Sequence, residues 1–325
     1  MTDSGPAASR TRFAAVVFNP SKVERDTLES VVAEEAERAG WGETQWFETT
    51  VDDPGQGAAA QAIDAGAAMV IVAGGDGTVR AVAERVHGSG LPLALVPSGT
   101  GNLLARNMDL TLDDLGHSIH TAFSGRDRKI DLGMIDLRRG DGTQSRHAYL
   151  VMAGLGLDAK MLANTDEDLK KKIGWLAYVG AIVKALRDKN RLRMRVKLDE
   201  HRARSVWAHT IIVGNCGSLQ ANVLLLPDAA VDDGLLDIIV LRPEGFVGWV
   251  QILIKIVWEN GVLRRSRLGR KLMMGEVRAL NYERGRSLSV SLRREEAVEL
   301  DGDGFGDCVA LRTWVVPGAL TVRVP

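Results

Sequence analysis

Two apolar runs in the first third of the chain each end in a glycine-rich turn and then enter a helix-forming stretch. This pairing restricts the fold more than any other feature. The first is Ala67-Ala-Met-Val-Ile-Val-Ala-Gly74-Gly75-Asp76-Gly77-Thr78-Val79, and the second is Leu93-Ala-Leu-Val-Pro97-Ser98-Gly99-Thr100-Gly101-Asn102. Each reads as a buried strand that stops in small and polar residues before a helix. Upstream, residues 13–18 read as a first strand closed by Asn19-Pro20, and residues 46–50 as a second. Helical spacing covers 24–39, 57–65 and 80–86. Strands alternating with helices at this spacing give a parallel, doubly wound α/β sheet. Ligands of such sheets bind beyond the carboxyl ends of the strands, where both glycine loops fall.

After about residue 130 the pattern changes. Residues 149–152, 191–198, 206–213, 235–241, 288–292 and 309–315 read as strands, with helices expected only at 160–189 and 245–258. This is the pattern of a mainly antiparallel β domain. A length of 325 residues suits two domains, with ample core material. A net charge of -1 argues against wholesale nucleic-acid binding. Cys216 and Cys308 supply neither a disulfide framework nor zinc spacing, which fits a reducing compartment. Residues 1–12 are small and polar, expected to be disordered and to carry no signal-peptide apolar region. The apolar stretch 246–263 carries Gln251, Lys255, Glu259 and Asn260, too polar for a membrane span.

The chemistry lies in the loops. Glycine lets backbone N–H groups approach an anion, and a helix N-terminus favours negative charge. Two such loops side by side form a polyphosphate cradle, with Asp76 able to act through magnesium and Thr78 able to donate to a phosphate oxygen. Taken alone, the first loop reads better as a tight turn whose Asp caps the next helix, and it is the second loop that shifts the balance. There is no G-x-x-x-x-G-K-[ST] and no H-R-D or D-F-G set, which excludes P-loop enzymes and protein kinases. Gly154-Leu-Gly156-Leu-Asp158-Ala159 matches the dinucleotide fingerprint after a strand, but in antiparallel surroundings it reads as a close-packed strand-to-helix turn.

In order along the chain stand Asn19-Pro20, Gly74-Gly-Asp-Gly-Thr78, Pro97-Ser-Gly-Thr-Gly-Asn102 with Ala105-Arg106, Asp131-Leu-Gly133, the run from Pro227 to Asp237, and Asp301-Gly-Asp303. Over residues 13–324 this series resembles the diacylglycerol kinase catalytic-domain superfamily, in its soluble bacterial lipid-kinase branch, to which sphingosine and ceramide kinases are related.

The resemblance implies a nucleotide-binding α/β domain over 13–132, rejoined by 307–325, and a β-sandwich over 133–306, with the active site in the cleft between them. It implies ATP and Mg2+. Asn19, Thr49, Thr50, Gly74, Gly75, Asp76, Gly77, Thr78, Gly99, Thr100, Gly101 and Asn102 would then contact the nucleotide. Ala230, Asp233 and Leu235 would hold a structural magnesium through one carboxylate and two carbonyls, although Asp232-Asp-Gly also reads as a hairpin turn. Asp301 would be the general base, with Asp303 orienting the acceptor or binding magnesium with Asp76, although by its residues alone Asp301-Gly-Asp-Gly304 reads as a hairpin turn. The reaction expected is transfer of the γ-phosphate of ATP to a lipid hydroxyl, with diacylglycerol giving phosphatidic acid. A non-catalytic nucleotide- or lipid-binding regulator and an NAD kinase are the alternatives.

Two departures matter. Ser21-Lys22-Val23 follows Asn19-Pro20 where the family often has a small residue and Gly. The late Asp-Gly-Glu of the family is Asp301-Gly302-Asp303 here, which withdraws the second carboxylate by about 1.5 Å. By the same resemblance the chain is expected in the cytoplasm, peripheral to the inner face of the membrane. Its partner would be a lipid substrate at that surface, without nucleic acid, and a homodimer is allowed. Two basic clusters could meet a bilayer. Arg264, Arg265, Arg267, Arg270 and Lys271 follow an aromatic stretch, and Arg191, Arg193, Arg195 and Lys197 alternate with apolar residues. The second reads equally well as a solvent-facing edge strand, where charge blocks aggregation.

Overall fold

The structure, a computed structural model, describes residues 12–156, 192–218, 225–242 and 280–325. The expected helices at 160–189 and 245–258, the cluster from Arg264 to Lys271, Arg191 and the N-terminal stretch 1–11 lie outside the described residues.

The chain divides into two units. The first holds the described residues of Met1–Thr100, together with Leu110–Arg128 and Leu320–Pro325. Its strands are β1 (Ala14–Phe18), β2 (Gln45–Glu48), β3 (Met69–Gly74) and β4 (Pro92–Pro97), with helices α1 (Arg25–Arg38), α2 (Gln56–Asp64) and α3 (Asp76–Val86) between them. All four strands are parallel, in the spatial order β4-β3-β1-β2. Residues 321 and 322, near the end of the chain, add a further parallel strand beside β4. The order reverses beside β1: the chain steps to β2 on one side and returns to β3 on the other. In an open α/β sheet, that reversal opens a ligand crevice at the carboxyl edge.

The apolar runs become strands because both faces of the sheet are covered. Every residue of β1 and β3 is buried. One face carries Ala14, Val16, Met69, Ile71, Ala94 and Val96. Leu28, Val32 and Ala36 of α1 pack there, with Ile119, Ala122 and Phe123 of a later helix, α5 (Leu115–Ser124). Helices α2 and α3 pack together against β1, β3 and β4. Two-sided burial explains the continuous apolar runs, in place of the alternation of a half-exposed sheet.

The second unit holds the described residues of Gly101–Asp109 and Lys129–Ala319. The chain returns to the first unit at Leu320, later than the expected 307, and Gly101–Asp109, with the short helix α4 (Leu103–Asn107), groups with the second unit. The second unit contains β5 (Arg126–Arg138), β6 (Gln144–Tyr149), β7 (Met152–Leu155), β8 (Leu192–Leu198), β9 (Arg204–Ala208), β10 (Thr210–Gly214), β11 (Leu236–Leu241), β12 (Leu280–Gly285), β13 (Ser287–Leu300) and most of β14 (Asp303–Val324).

The pairing is antiparallel. One run is β12-β11-β10-β7-β13, and the other is β9-β8-β13-β14-β5-β6. β13 serves both. Its residues 288–292 pair with β8 and its residues 298–300 with β7, on either side of a register shift between Ser291 and Glu296. A bulge bends a strand and re-aims it, which lets β13 turn from one layer into the other. Between the layers lies one apolar core that includes Leu155, Met194, Val213, Ile238, Val290 and Leu311. This is the β-sandwich.

Two expected strands differ in detail. Residues 206–213 divide into β9 and β10. Residues 149–152 are not one strand: β6 ends at Tyr149 and β7 begins at Met152. The break has a cause in the site described below. Of the dinucleotide fingerprint, Gly154 and Leu155 lie on β7 between antiparallel partners, residues 157–159 lie outside the described residues, and Gly156 (φ +76) has the carbonyl oxygen of His209 2.7 Å from where a Cβ would sit. Close packing accounts for that glycine.

Candidate functional site

In the first unit the candidate nucleotide residues line the carboxyl edge of the sheet, joined strand to strand by backbone hydrogen bonds. Thr49 N–H donates to the carbonyl of Phe18 at 2.9 Å, and Asn19 N–H to that of Ala73 at 2.9 Å. Ser98 N–H donates to Gly74 at 3.1 Å. Asn19 also folds its own turn, its Oδ1 accepting from Ser21 N–H (3.0 Å) and Ser21 Oγ (2.8 Å). Thr49 is buried, whereas the Thr50 Oγ1 accepts from Asp53 N–H at 3.0 Å and belongs to the next turn.

The glycines of the first loop have different tasks. A Cβ on Gly74 would lie 2.8 Å from Thr78 Cβ, so the strand-to-helix turn closes only on glycine. A Cβ on Gly75 would meet nothing nearer than Gly99 Cα at 3.7 Å. The two glycine loops are therefore neighbours, and Gly75 keeps the space between them clear. Gly75 is the N-cap of α3 and provides no side-chain cap. The reading in which Asp76 caps the helix does not hold, since Asp76 is the first helical residue. Helix α2, by contrast, has its N-terminal N–H groups of Gly57 and Ala58 taken by the Asp53 carboxylate at 2.9 and 3.0 Å. A glycine-capped helix start beside a second glycine loop is an anion site in waiting. Thr100 closes the first unit's part of the second loop, while Gly101 and Asn102 fall in the second unit. There Asn102 takes a left-handed backbone (φ 48) as the N-cap of α4, and Arg106 Nε donates to Gly101 O at 2.7 Å.

In the second unit Asp301 and Gly302 form the two-residue turn of the β13–β14 hairpin, both with positive φ (51 and 94). That is the primed turn to which Asp-Gly is suited. The Asp301 side chain points inward and is buried. Its Oδ2 accepts from Leu150 N–H at 2.8 Å, and its Oδ1 from Val151 and Met152 N–H at 2.8 and 2.9 Å. Three successive N–H groups aimed at one carboxylate make a nest. This nest also ends β6 and starts β7, because those N–H groups cannot join a ladder. A carboxylate so engaged holds a fold in place and is poorly disposed to take a proton from a substrate, which runs against the base role expected of Asp301. Asp303, first residue of β14, is exposed.

Asn215 is a site residue that no motif marked. It is buried, and its Nδ2 donates to the carbonyls of Asp131 and Leu150, both at 3.1 Å, tying the nest to Asp131. The one signal was a lone amide closing the apolar run of β10. Asp131 is itself a buried acceptor, with Gly234 and Gly318 N–H groups at 2.7 Å each.

Asp233 lies in the loop between residue 231 and β11, and its Oδ1 accepts from Leu235 N–H at 3.0 Å. Burial pushes its carboxyl above the usual range. The Leu235 N–H opposes this, the charges of Asp237 and Asp131 add to it, and Arg284 opposes it. Asp237 is buried, with Oδ1 accepting from Tyr282 and from Arg284 Nε at 2.8 Å, and its Oδ2 has no partner among the described residues. One guanidinium, Arg284, stands against both carboxylates, 3.7 Å from Asp233 Oδ2 and 2.8 Å from Asp237 Oδ1, and the charge left over fits a cation held by Asp233 with the carbonyls of Ala230 and Leu235. Among the described residues no cluster of three or more acidic, His or Cys side chains could hold a metal.

The relationships of the chain follow the same division. Residues 14–135 match the diacylglycerol kinase catalytic domain, and residues 150–324 match the YegS C-terminal NAD kinase beta sandwich-like domain. A Pseudomonas aeruginosa (strain UCBPP-PA14) protein named "Probable lipid kinase YegS-like" is 31% identical over 82% of this chain and 79% of its own length. The chain belongs to the YegS-like lipid kinase family. A protein of the same name from Stenotrophomonas maltophilia (strain K279a) is 30% identical over 82% of each chain. The crystal structure of a diacylglycerol kinase from Bacillus anthracis str. Sterne shares the fold at a TM-score of 0.69, with 17% identity over 98% of this chain and 99% of that one. The YegS-like fold accounts for both halves of the molecule: an α/β kinase unit and a β-sandwich.

Proposed function

We propose that this YegS-like chain transfers the γ-phosphate of ATP to the hydroxyl of a membrane lipid, diacylglycerol, giving phosphatidic acid. The observation that carries the reading is the glycine-capped start of α3 beside Gly99, on the carboxyl edge of a sheet matched by the diacylglycerol kinase catalytic domain. Backbone N–H groups of Gly75 to Thr78 and of Gly99 to Thr100 hold the triphosphate, and Asn19 and Thr49 border it. Magnesium, when bound, offsets phosphate charge, and Asp76 is the residue in this loop able to hold it.

Asp303 is the group we assign as general base. Exposure lets it reach an acceptor hydroxyl and take its proton as the oxygen bonds to the γ-phosphorus and ADP leaves. Asp301, locked in its nest, fixes the hairpin that presents Asp303 and acts as a positioning residue. The Ala230, Asp233 and Leu235 site supports the loop between residue 231 and β11. The acceptor is met at the inner face of a membrane, by peripheral contact. No helix among the described residues is long and apolar enough to cross one.

The sandwich description shared with NAD kinases keeps a second reading in play, in which the acceptor is NAD. Incubation with γ-labelled ATP against NAD and a panel of lipids, with separation of products, decides the matter. Label in a lipid phosphate supports the proposal. Label in a dinucleotide, or no transfer by folded protein, defeats it.

A further inference from the structure

We infer that the outer face of the sheet formed by β9, β8, β13 and β14 docks onto an anionic lipid bilayer. The inference takes its choice of partner from the lipid-kinase reading. Arg193 and Arg195 are exposed on β8, and Lys197 is half-exposed on the same face, while Leu192, Met194 and Val196 between them are buried in the core. The edge-strand explanation of these charges fails, because β8 is paired on both sides, with β9 and with β13. Something other than protection of an open edge accounts for them.

The neighbouring strands extend the pattern. Arg193 pairs with Trp207 of β9, whose indole is 55% exposed and lies 5.7 Å from the guanidinium. Across β13, Lys197 and Arg195 stand opposite Ser289 and Ser291, and Ser289 stands opposite Arg312 of β14. Trp314 follows on the same face, with Arg312 5.8 Å from its ring. Small serines between the cationic rows leave the long side chains free to reach outward. Among the described residues Arg193 and Arg195 form no ion pair, and Lys197 meets only Glu200, at 3.3 Å. A solvated sheet face ordinarily mixes both signs of charge. Along β8 this one carries one sign over about 14 Å, with an exposed indole at its border, whereas Arg312 on β14 has the Asp136 carboxylate nearby.

Cations beside an exposed indole suit the headgroup region of a bilayer. Arg and Lys meet anionic headgroups there, and Trp sits at the boundary of water and hydrocarbon. Such a surface could also attract a nucleic acid, but the chain carries a net charge of -1, which argues against it, and the test below includes an oligonucleotide.

The test is co-sedimentation of the full chain with phosphatidylcholine vesicles, with and without phosphatidylglycerol and free of diacylglycerol. Binding is expected only with the anionic lipid and should fall with added salt. Each basic residue at the surface is worth roughly fivefold, so Arg193→Gln/Arg195→Gln/Lys197→Gln should weaken binding on the order of a hundredfold. Arg193→Lys/Arg195→Lys should bind nearly as wild type, which separates charge from misfolding. Turnover on a detergent-dispersed short-chain acceptor should be unchanged in the triple variant. Wild-type binding by a folded triple variant would overturn the inference, as would equal binding to neutral vesicles or oligonucleotide binding without vesicle binding. Inactivity of the wild type on every lipid would instead count against the kinase reading and leave the vesicle result to be judged by itself.

Discussion

The glycine loop at residues 74–78 and the hairpin turn at residues 301–303 look alike on paper, each an aspartate set among glycines. In the fold they do opposite things. In the first, glycine is required at Gly74, where a Cβ would strike Thr78, while Gly75 borders Gly99 with room to spare. Asp76 heads a helix whose cap contributes no side chain, so the loop is left able to receive an anion. In the second, glycine supplies a positive φ for a primed turn, and Asp301 is turned inward to satisfy the N–H groups of Leu150, Val151 and Met152. One loop starts its helix on a glycine that brings no side-chain cap, and the other has consumed its acceptor internally. An Asp-Gly motif therefore says where a backbone turns sharply, and burial says whether its carboxylate serves chemistry or structure.

The largest effect expected is at Asp76. Asp76→Ala should lower turnover by about a hundredfold or more with the melting temperature nearly unchanged, as read by steady-state kinetics beside thermal unfolding. Wild-type rates in that variant would erase the contrast between the two motifs.

Gly75→Ala comes next. The site has room for the methyl group, so stability should stay within about 1 kcal/mol. ATP affinity, measured by calorimetry, should fall roughly tenfold or more as the methyl intrudes on the approach of the phosphates. Gly74→Val inverts the pattern. It should cost about 1–3 kcal/mol in denaturant unfolding, because the side chain has no space against Thr78.

The smallest effect concerns magnesium. Asp233 has its carboxyl raised chiefly by burial, with Asp237 and Asp131 adding to the shift. In the metal-free protein the folded state therefore holds this proton more tightly than the unfolded chain. Its contribution to stability falls as pH rises through the window just above the ordinary carboxylate value of about 4. A cation needs the ionised form, so the gain in Tm from magnesium should grow over the same window, to a few degrees at neutral pH. Asp233→Asn should remove that gain.

Much of the first unit was legible because burial on two faces writes itself as unbroken apolar runs. β1 and β4 follow the apolar runs 13–18 and 93–97 within a residue, and β3 begins two residues inside the run that opens at Ala67. The second unit was harder. β5 opens on Arg126-Asp-Arg-Lys, and β6 runs Gln144-Ser-Arg-His, so neither presents an apolar stretch long enough to see. The break between Tyr149 and Met152 was invisible because its cause, Asp301, lies far along the chain. For the same reason the sequence assigns the base role to Asp301 by its place in the motif: both residues are aspartates, and only the fold buries one and exposes the other. The row Arg193, Arg195 and Lys197 was seen as a charged face, but whether its strand stood at an edge depended on partners more than ninety residues away for β13.

The measurement that bears most directly on the division between the two aspartates is a paired assay of Asp303→Asn and Asp301→Asn, recording lipid-dependent ATP turnover and Tm for each. Asp303→Asn should lose about a hundredfold or more in turnover while keeping the wild-type Tm, since only the base is removed. Asp301→Asn should unfold more easily, by about 1–3 kcal/mol or more, because an amide NH2 now faces the N–H groups of the nest, and its activity should decline along with its stability. Near wild-type turnover in Asp303→Asn, with Asp301→Asn inactive at an unchanged Tm, would contradict the account and return the base to Asp301.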